Sequence, residues 1–200
     1  WIRKHAAEQG GDTAYVEAHR GIVMQAVEKS LEHDGGNRRV LGLNATNGNI
    51  SWEYRIEVPT WNFNPVFAND GSVFFMDLSG GVHRIHHHNG SRIWFTPAPQ
   101  KYSKSFSDGG LMLGPDGTSY ACSNNEDHHH GALRAYSFSD GKLLWDKKLP
   151  TGCTSWPAIA KDGSWGVVPM GNFVTPPIAL MMPQWTPALV RILVHGTMLA

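Results

Sequence analysis

The sequence predicts an all-β protein built from repeated four-stranded antiparallel units. Three observations carry that prediction. A Gly stands four residues before a Trp at Gly48 and Trp52, Gly90 and Trp94, and Gly141 and Trp145. Asp-Gly followed by Ser or Thr recurs every 46 residues, starting at Asp70, Asp116 and Asp162. Gly is abundant, with 22 in 200 residues, and charged residues are only 17%, which suits a turn-rich β chain. Two turn signals in step mean an internal repeat, and a period in the forties with about four short strands per unit points to propeller blades.

The residue before each of those Gly is Asn47, Asn89 or Asp140. Asn-Gly and Asp-Gly predict a two-residue hairpin turn in which both central residues take positive φ. Taken in order, residues 1–19 carry no repeat mark, and Thr13 to Glu17 reads as the first strand of an incomplete blade. Blades follow over about 20–56, 62–97, 105–148 and 154–173. In the first, Gly21 to Val27 is an apolar strand, Glu28 to Asn37 a polar rim loop, and Arg39 to Asn44 leads into the hairpin. The second is the cleanest meander: Asn62–Ala68, Ser72–Asp77, Val82–His86 and Ser91–Thr96. The third repeats it over Phe106–Leu113, Thr118–Ser123, Ala132–Phe138 and Lys142–Lys147, with a rim loop at Asn124 to Gly131. The fourth starts with Ser155–Ala160 and Ser164–Pro169. Residues 174–200 leave the pattern: Pro176, Pro177, Pro183 and Pro187 predict neither a central strand nor a long helix. Pro187 to Leu199 reads as a short helix or as a terminus outside the repeat.

The formal net charge is zero, which leaves no electrostatic case for nucleic acid or an anionic membrane. No apolar run reaches the roughly 18 residues of a membrane span. The first residue is Trp1 rather than Met, so a fragment or processed form is expected. Cys122 and Cys153 fit a disulfide in an oxidising compartment and fit two free thiols equally.

The hairpin resembles the tryptophan-docking motif of the PQQ-type β-propeller repeat, over about residues 20–173. The motif falls on Ala135, Ser137, Asp140, Gly141, Lys142 and Trp145 in the third unit, and on Gly42, Asn44, Asn47, Gly48, Asn49 and Trp52 in the first. The second unit is divergent, with Arg84 and His86 at the Ala and Asp positions. The resemblance implies that Gly48, Trp52, Gly90, Trp94, Gly141 and Trp145 are structural docking residues: the ring fills the gap between blades and the Gly lets the neighbour approach. It implies closure with roughly six to eight blades. About three and a half would leave an apolar end face exposed, so the isolated chain should be marginal or should associate. Some members of the family are dehydrogenases that hold pyrroloquinoline quinone and calcium, typically with a pair of adjacent cysteines at the quinone. Cys122 and Cys153 are not adjacent. Other members are cofactor-free scaffolds, such as a lipoprotein of bacterial outer-membrane assembly.

Two further features invite a function. His83, His86, His87 and His88 lie in one unit, and Asp127, His128, His129 and His130 form a loop cluster in the next. Imidazole binds zinc, copper and nickel, so the loop cluster is a metal candidate, although no Cys/His spacing of the zinc type accompanies it. His86 and His88 should share one strand face and His87 take the other. Asn44-Ala45-Thr46, Asn49-Ile50-Ser51 and Asn89-Gly90-Ser91 fit the glycosylation rule and would permit a secretory, extracytoplasmic route, but the hairpin repeat already explains them.

The expectation is therefore a PQQ-repeat-like propeller acting as a non-catalytic binding or scaffold module. It would take a protein or small ligand at its rim loops and adjoin the remaining blades of a parent propeller. The alternatives are a fragment of a quinone- and calcium-dependent dehydrogenase, and metal capture by the histidine loops.

Overall fold

A computed structural model describes residues 1–2, 16–28, 37–60, 63–98, 110–124, 130–153, 156–170, 178–183, 191–194 and 197–199. They form consecutive antiparallel sheets, each a meander in sequence order. The first sheet is β1 (Glu17–His19), β2 (Ile22–Glu28), β3 (Asn37–Asn44) and β4 (Ile50–Thr60). The second is β5 (Val66–Phe67), β6 (Ser72–Met76), β7 (Val82–His86) and β8 (Arg92–Thr96). The third is β9 (Leu111–Leu113), β10 (Ser119–Asn124), β11 (Gly131–Tyr136) and β12 (Leu143–Lys148). The fourth is five-stranded: β13 (Ala158–Ile159), β14 (Trp165–Met170), β15 (Ile178–Pro183), β16 (Arg191–Val194) and β17 (Thr197–Leu199). The architecture is that of an incomplete β-propeller, as the repeat predicts.

Period-two alternation explains how a continuous apolar run serves two neighbours at once. In β6, Val73 and Phe75 join a core shared with Met24, Val40 and Trp52 of the first sheet. Phe74 and Met76, between them, join a core shared with Leu111, Ala121 and Tyr136 of the third. A sheet covered on both faces reads as a nearly continuous apolar run, and all five residues of β6, Ser72 among them, are buried. The outward face of the first sheet carries Val27, Leu41 and Leu43, also buried, so this end is not the bare apolar face that the sequence suggests.

The turns correct the sequence reading. Gly48, Gly90 and Gly141 do take positive φ, but Asn47, Asn89 and Asp140 do not. Each turn is instead closed by an amide bond to the carbonyl four residues back: Gly48 to Asn44 at 2.8 Å, Gly90 to His86 at 2.8 Å, Gly141 to Ser137 at 3.0 Å. The Asn or Asp serves through its side chain, whose Oδ1 accepts the amide two residues on: Asn49 at 2.9 Å, Ser91 at 2.9 Å and Lys142 at 3.2 Å. The Asp-Gly-Ser/Thr turns work alike. Asp70, Asp116 and Asp162 accept the amide and the hydroxyl of Ser72, Thr118 and Ser164 at distances between 2.6 and 3.1 Å. The two-residue turn with both residues at positive φ is elsewhere, at Arg20 (45°) and Gly21 (81°) between β1 and β2.

That turn makes a second correction. Glu17 belongs to β1, which pairs with β2 in the first sheet rather than starting a separate incomplete blade; residues 13–15 lie outside the described residues. The tail is a third. Residues 178–183 form the inner strand β15, paired to β14 from Trp165↔Pro183 to Met170↔Ile178 and to β16 on its other side. Pro183 is tolerated because it ends the strand, where a missing N–H costs least. β16 and β17 occupy the stretch read as a short helix, so the fourth sheet is longer than the predicted half blade. Pro176, Pro177 and Pro187 lie outside the described residues.

Cys122 of β10 and Cys153 are bonded, with Cα atoms 5.9 Å apart and both residues fully buried beside Leu133, Leu149 and Val168. The bridge ties the third sheet to the segment entering the fourth. Alkylating the denatured, unreduced chain should therefore add no label and, after reduction, two; two labels without reduction would show the bridge absent. Replacing both with Ala should cost about 3–4 kcal/mol in urea denaturation, the loop-closure value for a 31-residue separation.

Candidate functional site

Five of the six predicted docking residues, Gly48, Trp52, Gly90, Trp94 and Gly141, make glycine–indole contacts, those of Trp52 and Trp94 at the seams between sheets. Trp52 of β4 pairs with Gly42 across the strands. Its indole also lies over Gly90 of the second sheet, where an added Cβ would sit 2.5 Å from the ring. Its Nε1 donates to the His87 carbonyl at 3.0 Å. Trp94 of β8 repeats this on the third sheet: an added Cβ on Gly141 would be 2.5 Å from its ring, and Nε1 donates to the Phe138 carbonyl at 3.0 Å. Trp1 makes the same contact on Gly48, at 2.3 Å from an added Cβ, and its Nε1 donates to Ala45 at 2.9 Å. In every case the accepting carbonyl lies three residues before the Gly. Sequence reasoning missed Trp1, although it stands 51 residues before Trp52, the spacing of Trp94 and Trp145. Trp145 behaves differently: it packs with Tyr120 of its own sheet, ring centroids 5.9 Å apart, and is not among the nearest atoms of any described glycine.

The second unit, divergent in sequence, holds the polar chemistry. Arg84 is buried at the motif's Ala position. Its guanidinium donates to Asp70, to Ser72 Oγ and to the same Phe138 carbonyl that receives Trp94, and lies 3.8 Å from the Phe138 ring centroid. Burial works to raise the Asp70 carboxyl, but the Ser72 hydroxyl and amide with Arg84 outweigh it and hold it below the usual range. Arg84 thus binds the second sheet to the third through the carbonyl and ring of Phe138, while Asp70 of its own unit pairs its charge.

At the seam with the first sheet, the His83 ring is stacked between Phe75 and Phe95, centroids 4.8 and 4.3 Å away. Its Nε2 lies 3.2 Å from Asp77 Oδ2 and its Nδ1 lies 3.1 Å from the Tyr54 hydroxyl. One tautomer satisfies all three groups, with Nε2–H donating to Asp77 and Tyr54 donating to Nδ1. Asp77 also accepts from the Ser79 and Gly81 amides and the Ser79 hydroxyl. Burial, aided by Asp77 and opposed by Arg92, pushes the Tyr54 phenol up. A fully bonded carboxylate and a protonated phenol make a strut rather than a catalytic relay.

On the first sheet, an open cavity of about 330 Å³ is lined by Arg38, Arg39, Arg55, Ile56 and Glu57. Arg39 and Arg55 face each other across β3 and β4, and Glu53 bridges them at 2.8 and 2.7 Å. The bond from Arg39 leads the effects that hold the Glu53 carboxyl below its ordinary range against its partial burial.

Of the histidine motif, β7 ends at His86, so His87 and His88 lie in the turn and not on the strand expected for them; His86 and His88 are exposed and His87 is buried. Asp127, His128 and His129 lie outside the described residues, and His130 is half-buried. Among the described residues no three His, Cys, Asp or Glu converge on a point that could hold a metal. The two cysteines are tied to each other and fully buried.

A family model described as outer membrane protein assembly factor BamB matches residues 1–162. The chain belongs to the BamB-like PQQ-repeat propeller family. The crystal structure of BamB from Moraxella catarrhalis is similar, with a TM-score of 0.66 at 14% identity over 96% of this chain and 64% of that one. Quinohemoprotein alcohol dehydrogenase from Comamonas testosteroni gives 0.65 at 14% identity over 84% of this chain and 30% of that one. Quinohemoprotein alcohol dehydrogenase ADHIIG from Pseudomonas putida HK5 gives 0.63 at 14% over 87% and 32%. The chain therefore spans under two thirds of the BamB structure and about a third of each dehydrogenase. No curated protein matches it.

Two glycines separate the ring contact from backbone strain. Gly71 has φ +84° with nothing within 4 Å of an added Cβ, whereas Gly90 has φ +69° and the Trp52 ring. Gly71→Ala should cost about 1–2 kcal/mol in urea denaturation, and Gly90→Ala about 2–4, since overpacking adds to the strain. Equal costs would show that the ring contact contributes nothing.

Proposed function

We propose that this BamB-like PQQ-repeat chain is a non-catalytic binding module. Its Trp and Gly pairs latch one blade to the next, while its rim loops, Glu28 to Asn37 and Asn124 to Gly131, engage a protein partner or small ligand. The observation that carries this reading is the family match over residues 1–162 to an assembly factor; the two cysteines, 31 positions apart and joined in a buried bridge, are not the adjacent pair that the resemblance places at a quinone. The match to a family of assembly factors supports a protein partner. The partial span of the BamB structure supports further propeller blades as one such neighbour. A disulfide suits an oxidising compartment, which supports an extracytoplasmic location. Among the described residues no helix is long and apolar enough to cross a membrane.

One observation favours a second reading. The likeness to two quinohemoprotein alcohol dehydrogenases keeps a fragment of a quinone- and calcium-dependent oxidoreductase in view. Calorimetric titration with pyrroloquinoline quinone and calcium, together with dye-reduction assays and circular dichroism on one sample, separates the two. The expected result is a folded β protein without saturable quinone binding or dye reduction. Saturable binding with quinone-dependent dye reduction would overturn the scaffold reading.

A further inference from the structure

His87 holds the seam between the first and second sheets with its backbone while its side chain is buried in it. Its carbonyl receives the Trp52 indole at 3.0 Å, and its amide donates to Gly71 at 3.1 Å. The residue is 4% exposed, and its ring packs edge-on to Phe67 and His19, centroids 5.2 and 5.4 Å away. Its Nε2 is buried and has no hydrogen-bond partner among the described residues.

Among the described residues the charged or titratable groups that bear on this ring are basic. His19 faces it from β1, Arg20 from the β1–β2 turn and His88 from its own turn. The ring also meets the apolar Phe67 of β5, and the backbone carbonyl meets the Trp52 indole of β4. The turn whose Gly71 carbonyl accepts the His87 amide carries an acid, Asp70, which is engaged by Ser72 and Arg84. Among the described residues no carboxylate forms a hydrogen bond or ion pair with His87. A proton on the ring would place an unpaired charge in a buried, already cationic pocket.

We propose that the seam between the first and second sheets is a pH-sensitive joint, closed while the His87 imidazole is neutral and loosened by its protonation. Because His87 supplies both the ring and the carbonyl under Trp52, displacing the ring also displaces the acceptor of the indole bond. The sign follows from linkage. Burial, then His19, Arg20 and His88, depress the proton affinity of folded His87 below the ordinary value of 6.5. The unfolded chain therefore takes up its proton first as pH falls. The seam is at full strength above 6.5 and weakens as pH drops from there toward the folded value.

Urea midpoints read by tryptophan fluorescence at about pH 7.5 and about pH 5 test this in the wild type and in His87→Phe, which keeps an aromatic ring against Phe67. The wild type should lose more stability over that interval than the variant. Equal losses would overturn the proposal. NMR titration of the ring in the wild-type chain decides independently of the variant's folding. A His87 midpoint below 6.5 supports the joint, and one at or above 6.5 overturns it.

Discussion

Two seams between sheets share one contact: an indole ring against a glycine that has no Cβ. Two sheets stacked face to face pack about 10 Å apart through their side chains, and a wide ring at the outer strand fits only where the neighbour recedes. Glycine supplies that recess, and its position in the turn supplies the direction. Positive φ at Gly48, Gly90 and Gly141 turns the chain back, which brings the carbonyl three residues earlier to the indole N–H. Ring, recess and carbonyl therefore come from one turn geometry. A residue with a Cβ at that Gly would disturb the turn and the contact together.

The same geometry explains what the motif tolerates. The residue before the Gly is Asn or Asp because its side chain caps the amide two positions on, and a left-handed backbone is not needed there. The small residue opposite the Trp is Gly42 in the first sheet and Ala135 in the third. Arg84 replaces it in the second without breaking the seam, because its guanidinium extends past the ring and finds Asp70 and the Phe138 carbonyl. A long polar side chain is stable in that position only when its donors are met, and here three acceptors meet them.

The spacing of Gly, Trp and Asp-Gly signals made the blades legible, since each marks a local requirement that a neighbouring sheet cannot alter. The turn type was misread because Asn-Gly serves both a two-residue turn and the longer one found here, and the choice depends on the strand register. Arg20-Gly21 was missed because arginine is a poor left-handed residue and gives no signal of its own. Trp1 was missed because its Gly partner is 47 positions further on, and only the spacing to Trp52 links the two. The tail was misread by giving proline too much weight: Pro183 ends a strand rather than interrupting it. The cysteine pair could not be settled from composition, since its pairing depends on how β10 meets the chain entering the fourth sheet.

A repeat motif also misdirects the search for function. The residues that stand out by recurring are engaged in turns and, for Trp52 and Trp94, at seams, so their prominence says how the blades are built and little about what they bind. The informative positions are those that break the repeat. In the second unit these are Arg84, His83 and His87, all buried and each at a seam. Arg84 and His83 are matched by Asp70 and Asp77. His87 has basic neighbours and an Nε2 without a partner among the described residues, in the turn that carries the first latch. A buried polar group without a partner costs stability wherever it is found, so its presence at a seam that could be apolar is a physical asymmetry. It makes the joint between the first two sheets responsive to protons, a response for which the paired Arg84 gives no basis at the joint between the second and third.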